Sequence, residues 1–164
     1  MQKAISIQFV GKAALRHIKV QVLASGISNA ILNACFTWLV NRQMAFTPGS
    51  AVAVDTFITT GFVSCLVTFP TAYFTHKATQ AGLPLMEKEN KFVNSLPRNS
   101  VRLWLLMWLF FLALFEMLLF LVLKLATLEG IEFLPLVIGK FFAYGLMGGF
   151  LGAFVAFRQL QPER

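Results

Sequence analysis

Apolar residues gather in four blocks along the chain, at 20–40, 51–74, 103–125 and 133–157, with polar segments between them. No block alternates with period two, and each is about twice the length of a barrel strand. Each is long enough to cross a hydrocarbon core about 30 Å thick, which takes some 20 residues of helix. A helix in lipid satisfies its own backbone donors, whereas an open sheet leaves its edges bare. The pattern predicts an all-α polytopic membrane protein, with four transmembrane helices forming two hairpins at 20–74 and 103–157. Segments 1–19, 75–102 and 158–164 are then an N-terminal segment, a central loop and a tail of one membrane domain.

Polar positions inside the blocks carry the functional content. Ionisable groups at mid-membrane cost a few kcal/mol each, so they mark sites. The chain has three: Asp55, Glu116 and Lys140. Counted from the loop ends of their spans at 1.5 Å per residue, Glu116 lies about 13 Å deep, Lys140 about 10 Å and Asp55 about 6 Å. Glu116 and Lys140 also sit on consecutive spans joined by a short loop. An ion pair between them is expected, serving to fix helix register or as a proton- or ion-coupled site. Span one adds Ser25, Asn29, Asn33, Thr37 and Asn41 at spacings of four, a polar stripe on one helix face. Span two adds Asp55, Thr59 and further hydroxyls. These faces either bond across helices or line a wet cleft, and a stripe of five favours the cleft. The candidate intramembrane site is Asn29, Asn33, Asp55, Thr59, Glu116 and Lys140.

In span four, Gly145/Gly149 and Gly148/Gly152 form two GxxxG pairs, which predict close helix packing within the bundle or between protomers. Trp104 and Trp108 in span three, with Trp38 and Tyr73 elsewhere, are expected to anchor span ends at the membrane interface. Cys35 and Cys65 lie at depths about 13 Å apart, too far for a disulfide. The two hairpins also suggest a repeat. A shift of 83 positions sets Lys19 on Arg102, Thr75 on Arg158 and Asn33 on Glu116, as in transporters built from parallel repeats.

Composition and charge then fix class and orientation. The 164 residues are 57% hydrophobic and 13% charged, about half the charge a soluble domain carries. Eleven of the 14 basic residues fall before span one, in the central loop or in the tail. The positive-inside rule puts these segments, and both termini, in the cytoplasm. The net charge of +7 follows from that asymmetry and implies no nucleic-acid partner. Ile5, Phe9, Ala13 and Ile18 predict either an amphipathic interfacial helix or an extension of span one. Leu32-Asn33-Ala34-Cys35 loosely matches a lipoprotein cleavage site, but Asn33 fits it badly, so retention of span one is expected.

Asn29-x-x-x-Asn33 with Trp38, then Asp55-Thr56 and Cys65-Leu66-Val67-Thr68, resembles uncharacterised small bacterial four-helix inner-membrane proteins over the first hairpin. The resemblance implies a multi-pass protein of the bacterial inner membrane and no particular activity. Tandem-hairpin drug efflux proteins have similar size, but their acidic residue early in helix one is missing here.

There is no P-loop, dinucleotide fingerprint or nucleophile elbow. His17 and His76 lack acidic or thiol neighbours at ligand spacing. The expectation is a non-enzyme without cofactor or metal site: a small oligomeric transporter or channel in the lipid bilayer. The alternative is a non-transporting accessory or scaffold subunit docked on a partner membrane subunit.

Overall fold

The computed structural model describes residues 11–43, 45–86 and 90–162. It holds helices α1 (Lys12–Asn41), α2 (Gly49–Gln80), α3 (Lys91–Ser95), α4 (Ser100–Leu125) and α5 (Phe133–Gln159), with short strands β1 (Phe46–Pro48) and β2 (Gly130–Glu132). Each of the four expected spans lies inside one of the long helices, and all four are long and apolar enough to cross a membrane. Their exteriors stay apolar: Leu39, Phe62, Phe120 and Leu146 are among many large exposed side chains. The segment before span one continues α1 from Lys12 onward. Ile5 and Phe9 lie outside the described residues.

The helices start where backbone chemistry allows. Asn99 caps α4 by accepting from the amides of Val101 and Arg102, two of the donors that a helix start leaves bare. Asn90 caps α3 through the Val93 amide. α2 begins directly after Pro48, which ends β1.

At one end of the bundle β1 and β2 pair antiparallel, Phe46 with Glu132, Thr47 with Ile131, Pro48 with Gly130. The ends of α1 and α4, the starts of β1 and β2, and the starts of α2 and α5 are each 84 residues apart. Thr47 and Ile131, the central pair of the ribbon, share that offset. Two further hydrogen bonds repeat it: Gly49 N–H donates to Glu129 O (2.8 Å), and Phe133 N–H to Ala45 O (3.3 Å). Helix packing obeys the same exchange. α1 packs chiefly on α5, α4 on α2, and α2 on α5. The repeat is therefore real in the backbone, with an offset of 84 at the ribbon end. This corrects the 83-residue alignment and moves Asn33 onto Met117 rather than Glu116. The main packing is also between the halves; α1 barely touches α2, and α4 barely touches α5.

The larger core lies between α2, α4 and α5, around Val63, Val67, Leu103, Met107, Met147 and Leu151. A smaller one gathers Ala14, Ile18, Met86, Ala156 and Leu160 at the opposite end from the ribbon. There the central connection is tied to the end of α5. Met86 N–H donates to Leu160 O (2.9 Å), Asn90 N–H to Gln161 Oε1 (2.9 Å), and Arg158 to Leu96 O (2.7 Å) and Asn94 Oδ1 (3.0 Å).

Candidate functional site

Asp55 stands six residues inside α2 and Lys140 seven inside α5, so both lie about 10 Å below the ribbon end. They form an ion pair through Lys140 Nζ and Asp55 Oδ2. The expected Glu116–Lys140 pair is not made, for two reasons. Helix α2 begins at Gly49 rather than 51, which makes Asp55 deeper than its hydropathy boundary implies. And α5 packs on α2 much more than on α4, its neighbour in sequence. Glu116 is half-buried on α4.

Each partner has a companion one turn away. Thr59 donates to Asp55 O (2.6 Å) and lies 3.0 Å from its Oδ1. Tyr144 carries the Lys140 ammonium 5.8 Å from its ring centre. The Tyr144 hydroxyl sits beside Thr56 and Thr59, with Glu116 in electrostatic reach, but meets no partner in hydrogen-bond geometry. Lys140 is 5% exposed and paired with the carboxylate beside it, since an unpaired ammonium at this depth is costly.

Two crevices flank this cluster. One, of about 380 Å³ between α1 and α2, has Asn29, Asn33 and Thr59 in an otherwise apolar wall. The other, of about 270 Å³, lies among α2, α4 and α5 and contains Thr56, Lys140 and Tyr144.

The stripe on α1 is drawn into the bundle, with Asn29 and Asn33 also in the wall of the first crevice. Asn29, Asn33, Thr37 and Asn41 are all buried. Asn29 Nδ2 donates to Ser25 O (2.7 Å) and Asn33 Nδ2 to Asn29 O (2.9 Å), within their own helix. Hydroxyls on α2 do the same: Thr56 donates to Val52 O and Thr60 to Thr56 O. Such back-bonding is the usual resort of short polar side chains in a helix without water.

The glycines of α5 press against this stripe. A Cβ on Gly148 would stand 2.7 Å from Ser25 O and 2.9 Å from Asn29 Nδ2, and one on Gly152 would stand 3.0 Å from Gln21 O. Gly145 faces Ala30 at 3.1 Å, while Gly149 keeps an ordinary 3.5 Å from Val22 O. The tryptophans of α4 also make contacts within the bundle. Trp104 Nε1 donates to Gly61 O (3.2 Å), and its ring stacks on Trp108, 5.8 Å away. Both pack on α2.

Of the expected site residues, Asp55, Thr59 and Lys140 are in one cluster, Asn29 and Asn33 border it across the first crevice, and Glu116 faces it from α4. Sequence reasoning missed Thr56 and Tyr144. The signal was present, because Lys140/Tyr144 and Asp55/Thr59 are both spaced by four and share helix faces. Comparison with protein-family models, curated proteins and solved structures finds no match to this chain.

Proposed function

We propose that the protein is a small transporter of the bacterial inner membrane, with cytoplasmic termini and Asp55–Lys140 as its working site. One observation carries this reading: the ion pair bridges α2 and α5, one helix from each of the repeated halves. Transporters made of repeats bind substrate and coupling ion at that kind of interface, and move by rocking one half against the other. Protonating Asp55 would release Lys140 and loosen the contact between the halves, which makes a proton the natural coupling ion. Assembly into oligomers belongs to the same proposal.

The test is decay of an imposed pH gradient across proteoliposomes, followed with an internal pH dye. The parent should dissipate the gradient well above empty vesicles, and Asp55→Asn should slow it at least ten-fold. A parent rate equal to that of empty vesicles, or an unaffected Asp55→Asn, overturns the reading. Stability must be followed alongside, because Lys140→Met alone leaves a buried carboxylate unpaired at a cost of about 3–5 kcal/mol. Adding Asp55→Asn should recover much of that loss. Orientation is read separately: cysteine at Lys91 should be labelled from the cytoplasm only, and at Arg42 from outside only.

One observation favours a second reading, a non-transporting accessory subunit. On the α1 stripe, Asn29 and Asn33 donate within their own helix and the α5 glycines press close against Ser25 and Asn29, the close packing of a helix that serves as an anchor. A partner membrane subunit retained in mild detergent, together with flux no higher than empty vesicles, would select this reading.

A further inference from the structure

The crevice among α2, α4 and α5 sets polar side chains in an apolar wall. Its walls are apolar, with Phe115, Leu118 and Val122 from α4. Leu118 and Val122 are also 42% and 52% exposed, on the face that meets acyl chains in a bilayer. Inside it are donors with hydrogen-bonding capacity to spare. An ammonium has three N–H groups, and the hydrogen bond found for Lys140 goes to Asp55. The Tyr144 hydroxyl, on a residue 2% exposed, lies beside the Thr56 and Thr59 hydroxyls but meets neither in full hydrogen-bond geometry. Thr56 has given its proton to Val52 O. Unmet donors in a dry site are costly, and what relieves them is an acceptor.

Charge decides which acceptor. Asp55 already balances Lys140, and Glu116 stands within electrostatic reach of Tyr144. A carboxylate or phosphate head would add a second or third negative group at a site holding one cation. A neutral carbonyl oxygen adds none, and its two lone pairs can take one N–H from Lys140 and the O–H of Tyr144. We infer that this crevice binds an uncharged lipophile by its carbonyl oxygen, entering sideways from the bilayer with its apolar part along α4. The α1–α2 crevice, with Asn29, Asn33 and Thr59 but no cation, lacks this donor set. The inference rests on the transporter reading only in naming the ligand as cargo; binding is measured at equilibrium, without flux.

Lipid esters and quinone heads both present such a carbonyl, and two probes separate them. One is a benzoquinone with a decyl tail, the other dioctanoylglycerol, each carrying ¹³C at the carbonyl. Each is titrated onto the purified protein in a carbonyl-free detergent and followed by infrared difference spectroscopy. The expected result is saturable binding of at least one probe, with its carbonyl stretch moved to lower frequency. Binding of the quinone alone, the ester alone or both names the source. Tyr144→Phe removes one hydroxyl and preserves the ring, so it should fold. It should weaken binding roughly three- to ten-fold, the worth of one net hydrogen bond, and lose part of the frequency shift. Cys35→Ala, in the other crevice, should bind as the parent does. Absence of saturable binding by both probes, or equal affinity of Tyr144→Phe and parent, overturns the inference. Binding without flux would remove the transporter reading and leave this one standing.

Discussion

The α1–α5 and α2–α4 interfaces are equivalents under the exchange of the two halves, yet they are built from opposite materials. In the first, Gly26, Gly145, Gly148 and Gly152 bring backbone against backbone, with Gly26 and Gly145 facing one another. In the second, Trp104 and Trp108 fill the gap, and Gly61 is the notch that receives the indole of Trp108. Gly61 and Gly145 are themselves 84 positions apart, so one equivalent glycine meets a helix backbone and the other a large ring. Without a hydrophobic drive between helices in lipid, packing contacts carry association. Close approach by glycine achieves this with no side chain to reorder. Aromatic filling achieves it with side chains that can shift. The first interface should therefore be brittle and the second forgiving.

The most severe break is Gly148→Leu. A Cβ already meets Ser25 O and Asn29, and the remaining atoms have nowhere to go, so α1 must move off α5. The loss should exceed about 3 kcal/mol, beyond the usual overpacking range, measured as denaturant unfolding in mild detergent. A loss below about 1 kcal/mol would show that α1 and α5 are not so closely held. Gly61→Ala is milder. Its Cβ would stand 3.1 Å from Trp108 Nε1 and 3.2 Å from Cε2, and the ring can give by a few tenths of an ångström. The cost should be near 1 kcal/mol, read as a small fall in unfolding midpoint with changed tryptophan emission. Gly149→Ala is the control within the glycine interface. With 3.5 Å to Val22 O, it should stay within about 0.5 kcal/mol of the parent, helped by alanine's better helix propensity. If it proves as damaging as Gly148→Leu, brittleness belongs to α5 as a whole and not to its closest contacts.

The helices were legible because lipid demands long apolar runs. Loop-side boundaries fell within two residues of those found, since hydropathy and helix end together at 41, 49, 125 and 133. The far end of α2 runs six residues past the apolar run, to Gln80, because a helix need not stop where the hydrocarbon does. The ribbon carried no signal, as three residues are too few to show alternation. The Lys140 partner is not legible in the sequence, because chain neighbours are not packing neighbours here. In this fold the neighbours in space come from the other half. The α1 stripe is legible by its period, but period alone does not show that glycines of α5 press against Ser25 and Asn29.

The symmetric ribbon has a consequence for ancestry. A contact that a two-fold maps onto itself is the kind two identical chains make, so a half-length chain of two helices and one strand could close the same ribbon with its own copy. Joining two such copies by the connection at 81–99 gives the present order of elements. In that dimer every position would have been occupied by the same residue twice. Today Asp55 stands opposite Gly139 in the repeat, and Thr56 opposite Lys140. An acid on one central helix facing a base on the other is a division of labour that the divergence of the two halves provides.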